Sequence, residues 1–460
     1  MDLALKELLF VDREKIEDKD VVFQTGNDVL APVLNSFVLH VLTEAKNKGI
    51  KTLFFLARDA YFDYLVAEKY VREFNLDIQC KYLYVSRLSL RIPLYHLDLN
   101  QALSYITLGG VDVTPAKVLN RSGLTPEQGE KFAKKIADCL QIKEEDQIPR
   151  HRLGEVRSIL ESDEEFIKIL TENSKNEFGY ALDYLKECGF GDKEKVAIVD
   201  SGWVGSIQLS LNQFRKCLGV EEPLEGYYYG LYEIPAKAKE QYYHSFLFGP
   251  RSGLRKKVDF NNCLYECIFS APHGMTLRYK RESDRTVPVL SDVSTKQIDY
   301  LNQLESIFST YQSELFAKYN SFEEICKLFN NPANQENIEK TLFRFMSYPS
   351  HEEAEVFGKL HFSDDVIDYD NAVLAAKLTE HDLHDNHFLM RVYYELREKI
   401  FGHRYVVNIS GWYEGSVMLY SKPSKIRRHL TEYRQYKYYL QYSKRKRWMR
   451  ERERNDKTEY

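Results

Sequence analysis

The sequence lacks a regular pattern of cysteines. Its seven cysteines in 460 residues are odd in number and scattered along the chain. The one close pair, Cys263 and Cys267, is spaced by about one helical turn, with no second pair and no group of histidines behind it. We therefore expect reduced thiols in the core, rather than a disulfide framework or a metal site.

Long hydrophobic runs are also missing. No apolar run approaches the roughly 18 residues that a membrane-spanning helix needs. The N-terminal stretch MDLALKELLFVDREKIEDKD carries acids among its apolar residues, so it offers no signal-peptide core. With 43% hydrophobic and 13% aromatic residues, the chain can bury a large core. We expect a folded cytoplasmic protein of two or three domains.

Charge of one sign is concentrated at the C-terminus. The formal net charge is −5, yet residues 425–454 carry twelve Lys and Arg against three Glu, which is +9 and leaves −14 on the rest. Tyrosines and Trp448 alternate with these cations at near-helical spacing, as in helices that lie on an anionic membrane surface. A solvated terminal helix is an equal alternative. Nucleic-acid contact is less favoured, because the rest of the chain is acidic.

Short apolar segments alternate with helical patterns in the first half of the chain. Residues 52–57 (TLFFLA), 81–85 (KYLYV) and 196–199 resemble buried strands, and apolar residues recur at helical spacing over 61–74. This order predicts an α/β fold with a Rossmann-like, mostly parallel sheet. Two aromatic segments, 226–232 and 242–248, extend the predicted sheet. In such sheets ligands bind beyond the carboxyl ends of the strands.

The remaining segments predict the domain organisation. Residues 97–191 are rich in helix formers and acids, so we expect a helical insertion inside an α/β domain over 1–280. The polar stretch 281–292 marks a boundary. A mixed, mainly helical accessory region over 281–424 follows, with a helical pattern at 297–345 and a strand or loop at 406–420, before the basic aromatic tail 425–460.

The stretch KVAIVDSGWVGSIQLSLNQF, residues 195–214, joins a strand to a helix. Asp200 ends the apolar segment, Gly202 and Gly205 permit a sharp turn, and Ser206 begins the helical pattern. Free N–H groups, the helix dipole and a hydroxyl would then form a phosphate cradle. The alternative is that Asp200 or Ser201 caps the helix and the glycines only serve the turn. The stretch matches neither the lysine-containing P-loop nor the dinucleotide fingerprint.

Polar residues also end the two preceding strands. Arg58 and Asp59 follow the first strand, and Ser86 and Arg87 follow the second. Arginines bind phosphate oxygens by paired hydrogen bonds, and aspartates hold magnesium or ribose hydroxyls. For any one residue, a buried Arg–Asp pair that only ties the strands together is as good an interpretation. Convergence of all three strand ends with Asp200 favours one ligand site.

The segment YECIFSAPHGMTLRY, residues 265–279, contains Glu266 and a Pro-His-Gly turn. It fits an acceptor-side loop with Glu266 as a base, or a surface hairpin. From the sequence alone the hairpin is favoured.

Four of these motifs together resemble a known family. FLARDAY (55–61), YVSR (84–87), VDSGWVGSIQ (199–208) and YECIFSAPHG (265–274) are similar to the glycan phosphoribosyltransferase module of bacterial ribofuranosyltransferases, which also occurs in proteins labelled haloacid-dehalogenase-type hydrolases of polysaccharide loci. The similarity covers residues 30–280 well and the remainder loosely. Its most specific element is D-x-G-W-x-G-x-x-Q. The chain departs from the family at Ala60, where glycine is expected.

The resemblance implies a glycosyltransferase that moves a 5-phosphoribosyl group from phosphoribosyl pyrophosphate to a sugar hydroxyl of a surface polysaccharide, on a lipid-linked glycan acceptor. A separate phosphatase would remove the 5-phosphate, because Asp59-Ala60-Tyr61 lacks the second acid of a D-x-D phosphatase. The alternatives are a haloacid-dehalogenase-like phosphatase and a non-catalytic phosphosugar-binding assembly protein. We expect no nucleic-acid partner, and an anionic membrane surface as the partner of residues 425–454, which would place the protein at the inner face of the plasma membrane.

The implied site residues fall into three groups. Asp200, Asp59 and Glu266 are the expected catalytic residues, with Glu266 or Asp200 as the base. Asp59 and Asp200 are the expected Mg²⁺ ligands. The expected donor-phosphate ligands are Arg58, Arg87, Gly202, Trp203, Gly205, Ser206 and Gln208.

Overall fold

The computed structural model describes residues 20–110, 113–192, 194–293, 295–362, 372–401 and 405–458. The N-terminal stretch assessed as a signal peptide therefore lies almost entirely outside the described residues. The strands are β1 Thr52–Leu56, β2 Gln79–Leu83, β3 Val196–Trp203, β4 Glu225–Leu231, β5 Tyr243–Phe248, β6 Thr276–Glu282, β7 Arg285–Leu290, β8 His361–Phe362 and β9 Ala372–Val373.

The helices before the hairpin of β6 and β7 are α1 Val21–Thr25, α2 Ala31–Lys48, α3 Tyr61–Glu73, α4 Arg87–Arg91, α5 Leu99–Ile106, α6 Pro115–Asn120, α7 Pro126–Leu140, α8 Leu153–Glu161, α9 Glu164–Glu187, α10 Ser206–Cys217, α11 Leu254–Asp259 and α12 Asn262–Ile268. Those after it are α13 Thr295–Lys318, α14 Phe322–Phe329, α15 Pro332–Ser347, α16 His351–Phe357, α17 Glu380–Asp385, α18 Phe388–Phe401, α19 Tyr413–Tyr420 and α20 Ile426–Thr458.

A parallel five-stranded sheet forms the centre, which confirms the predicted α/β fold. Its strand order is β2-β1-β3-β4-β5, and each neighbouring pair is parallel. The chain moves from β1 outward to β2 and then returns across β1 to β3. This reversal is the topological switch point of a doubly wound sheet, where ligands bind in open α/β folds.

Both faces of the sheet are covered by helices. Successive residues of β1 point to opposite faces, so Phe54 and Phe55 belong to different hydrophobic clusters. The Phe55 cluster contains α2 and α3, while the Phe54 cluster contains residues of α9 and α10. All five residues of β1 are buried, as its continuous apolar run predicts.

The predicted helical insertion is confirmed. The residues described between β2 and β3 form helices from α4 to α9, and much of this segment encloses a cluster of its own. Phe132 of α7 and Phe166 of α9 pack edge to face there, with ring centroids 5.2 Å apart. The insertion is joined to the sheet through α9, whose Ala181 and Leu185 belong to the Phe54 cluster.

The region predicted as a separate accessory part, 281–424, shares the core of the sheet. Leu304, Phe308 and Phe345 from its helices belong to the same cluster as Phe37 and Phe55. The polar stretch 281–292 is not a boundary, because it lies in the β6–β7 hairpin, and Tyr279 of that hairpin stacks on Tyr184 at 4.5 Å. The strand or loop expected at 406–420 is wrong for its second half, which is helix α19.

The basic tail is helix α20, and it is docked on the body of the protein. Trp448 is only 4% exposed, and its indole N–H donates to the carbonyl of Ile234 at 2.8 Å. Arg434 binds both carboxylate oxygens of Asp259, at 2.7 and 2.9 Å. Trp448 and the buried Tyr436 therefore cannot settle in a membrane while this packing is intact. The expectation that they anchor a free arm needs correction.

One helical segment of the described chain could cross a membrane by length and composition. It is Val21–Lys48, which runs through a π-helical turn at Gly26–Leu30. Most of its apolar window is buried, because α2 packs on the sheet through side chains such as Phe37 and Leu42. In this structure it is a core helix.

Candidate functional site

The candidate site lies at the carboxyl ends of β1 and β3, beside the switch point of the sheet. Asp59 follows β1, and Asp200 is the fifth residue of β3. The Ser201 hydroxyl donates to Oδ2 of Asp59 at 2.9 Å, which ties the two strand ends together. The structure therefore brings together the ends of β1 and β3 that carry Asp59 and Asp200.

Two further carboxyl groups join this pair. Asp63 lies in the first turn of α3, four residues after Asp59, and is 1% exposed. Its Oδ1 is buried without a hydrogen-bond partner. Glu266 lies on α12, which corrects the expectation of a loop or surface hairpin at this position. Its Oε1 accepts a hydrogen bond from the indole N–H of Trp203.

Burial and the charges of neighbouring carboxylates raise the pKa values of Asp200, Glu266 and Asp63. Burial, and then the charge of Asp59, raises the pKa of Asp200 to about 8. The same two causes, in the same order, raise the pKa of Glu266 to about 8. Burial, followed by the charges of Asp200 and Asp59, raises the pKa of Asp63 well above its usual value. Clustered acids with perturbed pKa values mark candidate functional sites.

Arg58 and Arg87 lie close enough to act on these acids. The charge of Arg87 partly offsets the raised pKa of both Asp200 and Glu266, and Arg58 does the same for Glu266. Arg87 is exposed and Arg58 half-buried, so the cluster has a side open to solvent. The predicted convergence of the three strand ends is thus supported by their electrostatic coupling.

A second candidate element for anion binding lies at the start of α10. Ser206 begins this helix as predicted, and Gly205 precedes it in the left-handed region, with φ of 67°. No side chain caps the helix N-terminus. Arg91, on the same short helix as Arg87, donates from Nη2 to the Ser206 hydroxyl at 2.8 Å. Free N–H groups, a hydroxyl and a guanidinium therefore meet here.

Arg91 is a residue that the sequence analysis missed. It lies one helical turn after Arg87, and its guanidinium is 3.9 Å from the ring centroid of Tyr105 in the insertion. Burial lowers the pKa of Arg91, and the neighbouring charge of Arg87 lowers it further. The sequence did contain a signal for Arg91: it lies four residues after Arg87, and residues i and i+4 share one face of a helix.

The glycines of the motif are required by the protein's own packing. A Cβ at Gly202, where φ is 110°, would lie 2.4 Å from the carbonyl oxygen of Gly230 on β4. One at Gly205 would lie 2.9 Å from the ring of Tyr243. Both close contacts are with other strands of the sheet, β4 and β5, so the structure supports the turn-and-packing alternative for Gly202 and Gly205.

Gln208 and Trp203 use their polar atoms inside the protein. Gln208 is fully buried, donating to the carbonyls of Leu224 at 2.7 Å and Tyr242 at 3.1 Å, and accepting from the Tyr228 hydroxyl at 2.5 Å. The indole N–H of Trp203 is committed to Glu266. We therefore remove both from the expected donor-phosphate ligands.

His273 of the Pro-His-Gly turn borders the site. Its Nε2 lies 2.8 Å from the Tyr82 hydroxyl, and its Nδ1 lies 2.8 Å from the carbonyl oxygen of Gly274. Since only a protonated ring nitrogen can pair with a carbonyl, Nδ1 is the donor and Nε2 the acceptor. Burial is the main cause that lowers the pKa of His273, and the charge of Arg58 contributes.

The side chains at this site could supply only part of the coordination shell of a magnesium ion. Among the described residues, no group of three or more His, Cys, Asp or Glu is arranged to hold a metal ion. Mg²⁺ commonly uses one or two carboxylates together with substrate phosphates, and Asp59 and Asp200 offer that number. A cation would also favour the ionised form of Asp200.

Comparison with models of known protein families found no match, and comparison with curated proteins found none either. The functional argument therefore depends on the residues of the site.

Proposed function

We propose that this protein is a glycosyltransferase that moves a 5-phosphoribosyl group from phosphoribosyl pyrophosphate to a sugar hydroxyl of a bacterial surface polysaccharide. One observation carries the proposal: acids and arginines from three strand ends act on one another at the switch point, beside an uncapped helix N-terminus. The arginines and the helix N-terminus could bind the two phosphate groups at opposite ends of such a donor. We place the reaction in the cytoplasm.

The two groups of cations suggest the orientation of the donor. Arg58 and Arg87, next to the acids, would bind the pyrophosphate. Ser206, Arg91 and the first N–H groups of α10 would bind the 5-phosphate. Asp59 and Asp200 would hold Mg²⁺ and the ribose hydroxyls between them. Bound there, Mg²⁺ would supply charge neutralisation on the pyrophosphate.

The residues also suit the charge changes of the reaction. Breaking the bond between the anomeric carbon and pyrophosphate leaves positive charge on the ribose ring, while the bonding electrons leave with pyrophosphate. The Asp200 carboxylate would stabilise that ring, and the arginines the leaving group. The acceptor oxygen then bonds to the anomeric carbon and loses its proton. Glu266 would take it, since a base with a pKa of about 8 is suited to neutral pH.

Phosphorus NMR of a reaction mixture tests the proposal directly. The mixture contains the protein, Mg²⁺, phosphoribosyl pyrophosphate and an acceptor glycan from the same polysaccharide locus. It should yield inorganic pyrophosphate and a glycan that carries a 5-phosphoribosyl group through a glycosidic bond, with no phosphodiester formed. Release of orthophosphate from phosphomonoesters would support the phosphatase alternative instead. Donor binding without turnover across the acceptor panel would support a phosphosugar-binding assembly protein and contradict the proposed reaction.

A matched pair of arginine variants tests the site. Arg87→Gln should lower the rate of pyrophosphate release about a hundredfold, because one charge-stabilising contact contributes about 3 kcal/mol. Arg72→Gln removes an exposed arginine on α3 that pairs only with Glu68 among the contacts described, and should leave the rate unchanged. Equal rates for the two variants would remove Arg87 from the site.

A further inference from the structure

Helix α18 exposes a continuous apolar stripe. Leu389, Tyr393, Leu396 and Ile400 are 71%, 54%, 52% and 72% exposed. Their spacing of four, three and four residues places them on one side of the helix. Exposed apolar patches of this kind usually mark a docking surface, since scattered single residues are the norm elsewhere.

The other side of α18 is fixed to the basic helix α20. Phe388 contacts the ring of Tyr439, with centroids 5.8 Å apart, and Arg391 donates to the Tyr436 hydroxyl at 3.0 Å. The Tyr439 hydroxyl donates to Glu395 at 3.2 Å. These contacts hold α18 in a defined orientation, with the apolar stripe directed away from α20.

Exposed cations lie beside this pair of helices. Arg428, Lys446 and Arg450 are exposed. Arg428 lies eleven residues before Tyr439, and Lys446 and Arg450 lie seven and eleven residues after it. At 3.6 residues per turn, all three are on the face of α20 against which α18 packs. Glu432 and Glu453, seven residues before and fourteen after Tyr439, share this face, so three cations stand there against two acids and the net charge beside the apolar stripe is positive.

We propose that α18 and the adjoining face of α20 form a docking surface for an anionic lipid bilayer. The α18 stripe would enter the boundary of headgroups and acyl chains, and the α20 cations would contact lipid phosphates. A lipid surface is favoured over a protein partner because it matches both features at once, an apolar ridge and flanking cations. This assignment replaces the buried Trp448 and Tyr436 as anchors, and it does not depend on the proposed reaction.

Vesicle flotation of the full chain tests the surface. Binding should be strong to vesicles of phosphatidylcholine with phosphatidylglycerol and weak to phosphatidylcholine alone. The triple variant Leu389→Gln, Leu396→Gln, Ile400→Gln should lower the affinity for anionic vesicles by at least about tenfold, because three apolar side chains no longer enter the bilayer. The matched control is Leu97→Gln, Leu108→Gln, Tyr348→Gln, whose parent residues are similarly exposed, at 52%, 55% and 51%. It should bind like the parent chain.

The electrostatic part has its own control. The triple variant Arg428→Gln, Lys446→Gln, Arg450→Gln should bind anionic vesicles weakly, and its binding should depend little on salt. The control is the triple variant Lys134→Gln, Lys168→Gln, Lys186→Gln on the helical insertion, which should bind like the parent chain. Salt of about 1 M, where the Debye length is about 3 Å, should weaken binding of the parent chain. Thermal unfolding verifies that each variant is folded.

Three results would overturn the proposal. The first is no binding of the full chain to anionic vesicles at low salt. The second is equal binding by the stripe variant and its control. The third is a dimer, seen by light scattering, that the stripe substitutions dissociate while vesicle binding is absent, because the stripe would then cover a second copy of this chain.

Discussion

At the scale of single residues, the main feature is a set of acids whose pKa values the fold raises. Asp63 has no partner for Oδ1, and the buried Asp200 and half-buried Glu266 both lie near Asp59. A fold that only needed apolar packing would gain nothing from such groups, because a buried unpaired acid is costly. Their concentration at the switch point is therefore more consistent with a ligand site than with a structural role.

The buried acids predict a loss of stability with rising pH. In the unfolded chain an Asp releases its proton near pH 4, whereas the raised pKa of Asp63 keeps that proton on in the folded chain. From about pH 4 up to the folded pKa, each such group lowers the free energy of unfolding by about 1.4 kcal/mol per pH unit. Asp63→Asn removes one group, so its melting temperature should depend less steeply on pH.

The control for Asp63 is Asp77→Asn, which changes a carboxyl whose side chain is 89% exposed. Melting curves recorded over this pH range should have the parent slope for Asp77→Asn and a shallower slope for Asp63→Asn. Identical slopes for the two variants would show that Asp63 ionises normally.

Trp203 should set the pH at which Glu266 becomes active. Its indole N–H stabilises the ionised carboxylate, so Trp203→Phe should raise the pKa of Glu266 further above about 8. If Glu266 is the base, the rise of activity with pH should shift to higher pH in the rate profile of pyrophosphate release. Trp448→Phe also loses an indole hydrogen bond, but to a carbonyl, and should leave the profile in place. An unshifted profile for Trp203→Phe argues against Glu266 as the base.

Sequence reasoning identified part of the candidate site but not all of its members. Asp59, Asp200 and Arg87 were predictable because each lies close after a short apolar run in the sequence, and the carboxyl ends of parallel strands share one edge. Asp63 and Arg91 were missed because each lies one helical turn further along. Gln208 was misassigned because a motif does not reveal whether an amide faces a ligand or the carbonyls of its own core.

At the scale of secondary-structure elements, the close approach of β3 to β4 depends on Gly202. A side chain there meets both an unfavourable φ of 110° and the Gly230 carbonyl at 2.4 Å. Gly202→Ala should therefore lower the free energy of unfolding by about 3 kcal/mol, by the sum of strain and overpacking. Gly219→Ala, at φ of 84° with nothing within 4 Å, isolates the strain and should cost about 1 kcal/mol. Urea denaturation measures the free energy of unfolding of both variants. If both substitutions lower it equally, β4 must move to accommodate the added methyl group at Gly202.

Elements with a clear period were predictable, and those defined by distant contacts were not. The runs of β1 and β3 and the pattern of α3 were recognised from residues 52–57, 196–199 and 61–74. Residues 413–420 contain β-formers and glycine, yet they form α19, where the Tyr413 ring stacks on Tyr433 of α20 at 4.0 Å. Packing of this kind overrides local propensity.

At the scale of the whole molecule, the C-terminal helix is part of the core rather than an appendage. Composition indicated a basic aromatic segment correctly, but not that Trp448 completes the cluster formed by β4, β5 and α10. Charge and periodicity describe a helix's exposed face well. They do not reveal which aromatic residues are covered by a distant part of the chain.

Removing the Trp448 side chain should therefore loosen the sheet as well as α20. Trp448→Ala leaves a cavity next to Ile234 and should lower the free energy of unfolding by about 3 to 5 kcal/mol. Native-state hydrogen exchange should become faster at the amides of β4 and β5, because the hydrophobic cluster that contains them loses the packing contacts of the indole ring. Tyr442→Ala, on the same helix but 57% exposed, should change stability by no more than about 0.5 kcal/mol. Faster exchange confined to α20 would mean that the helix opens independently and that the sheet does not depend on it.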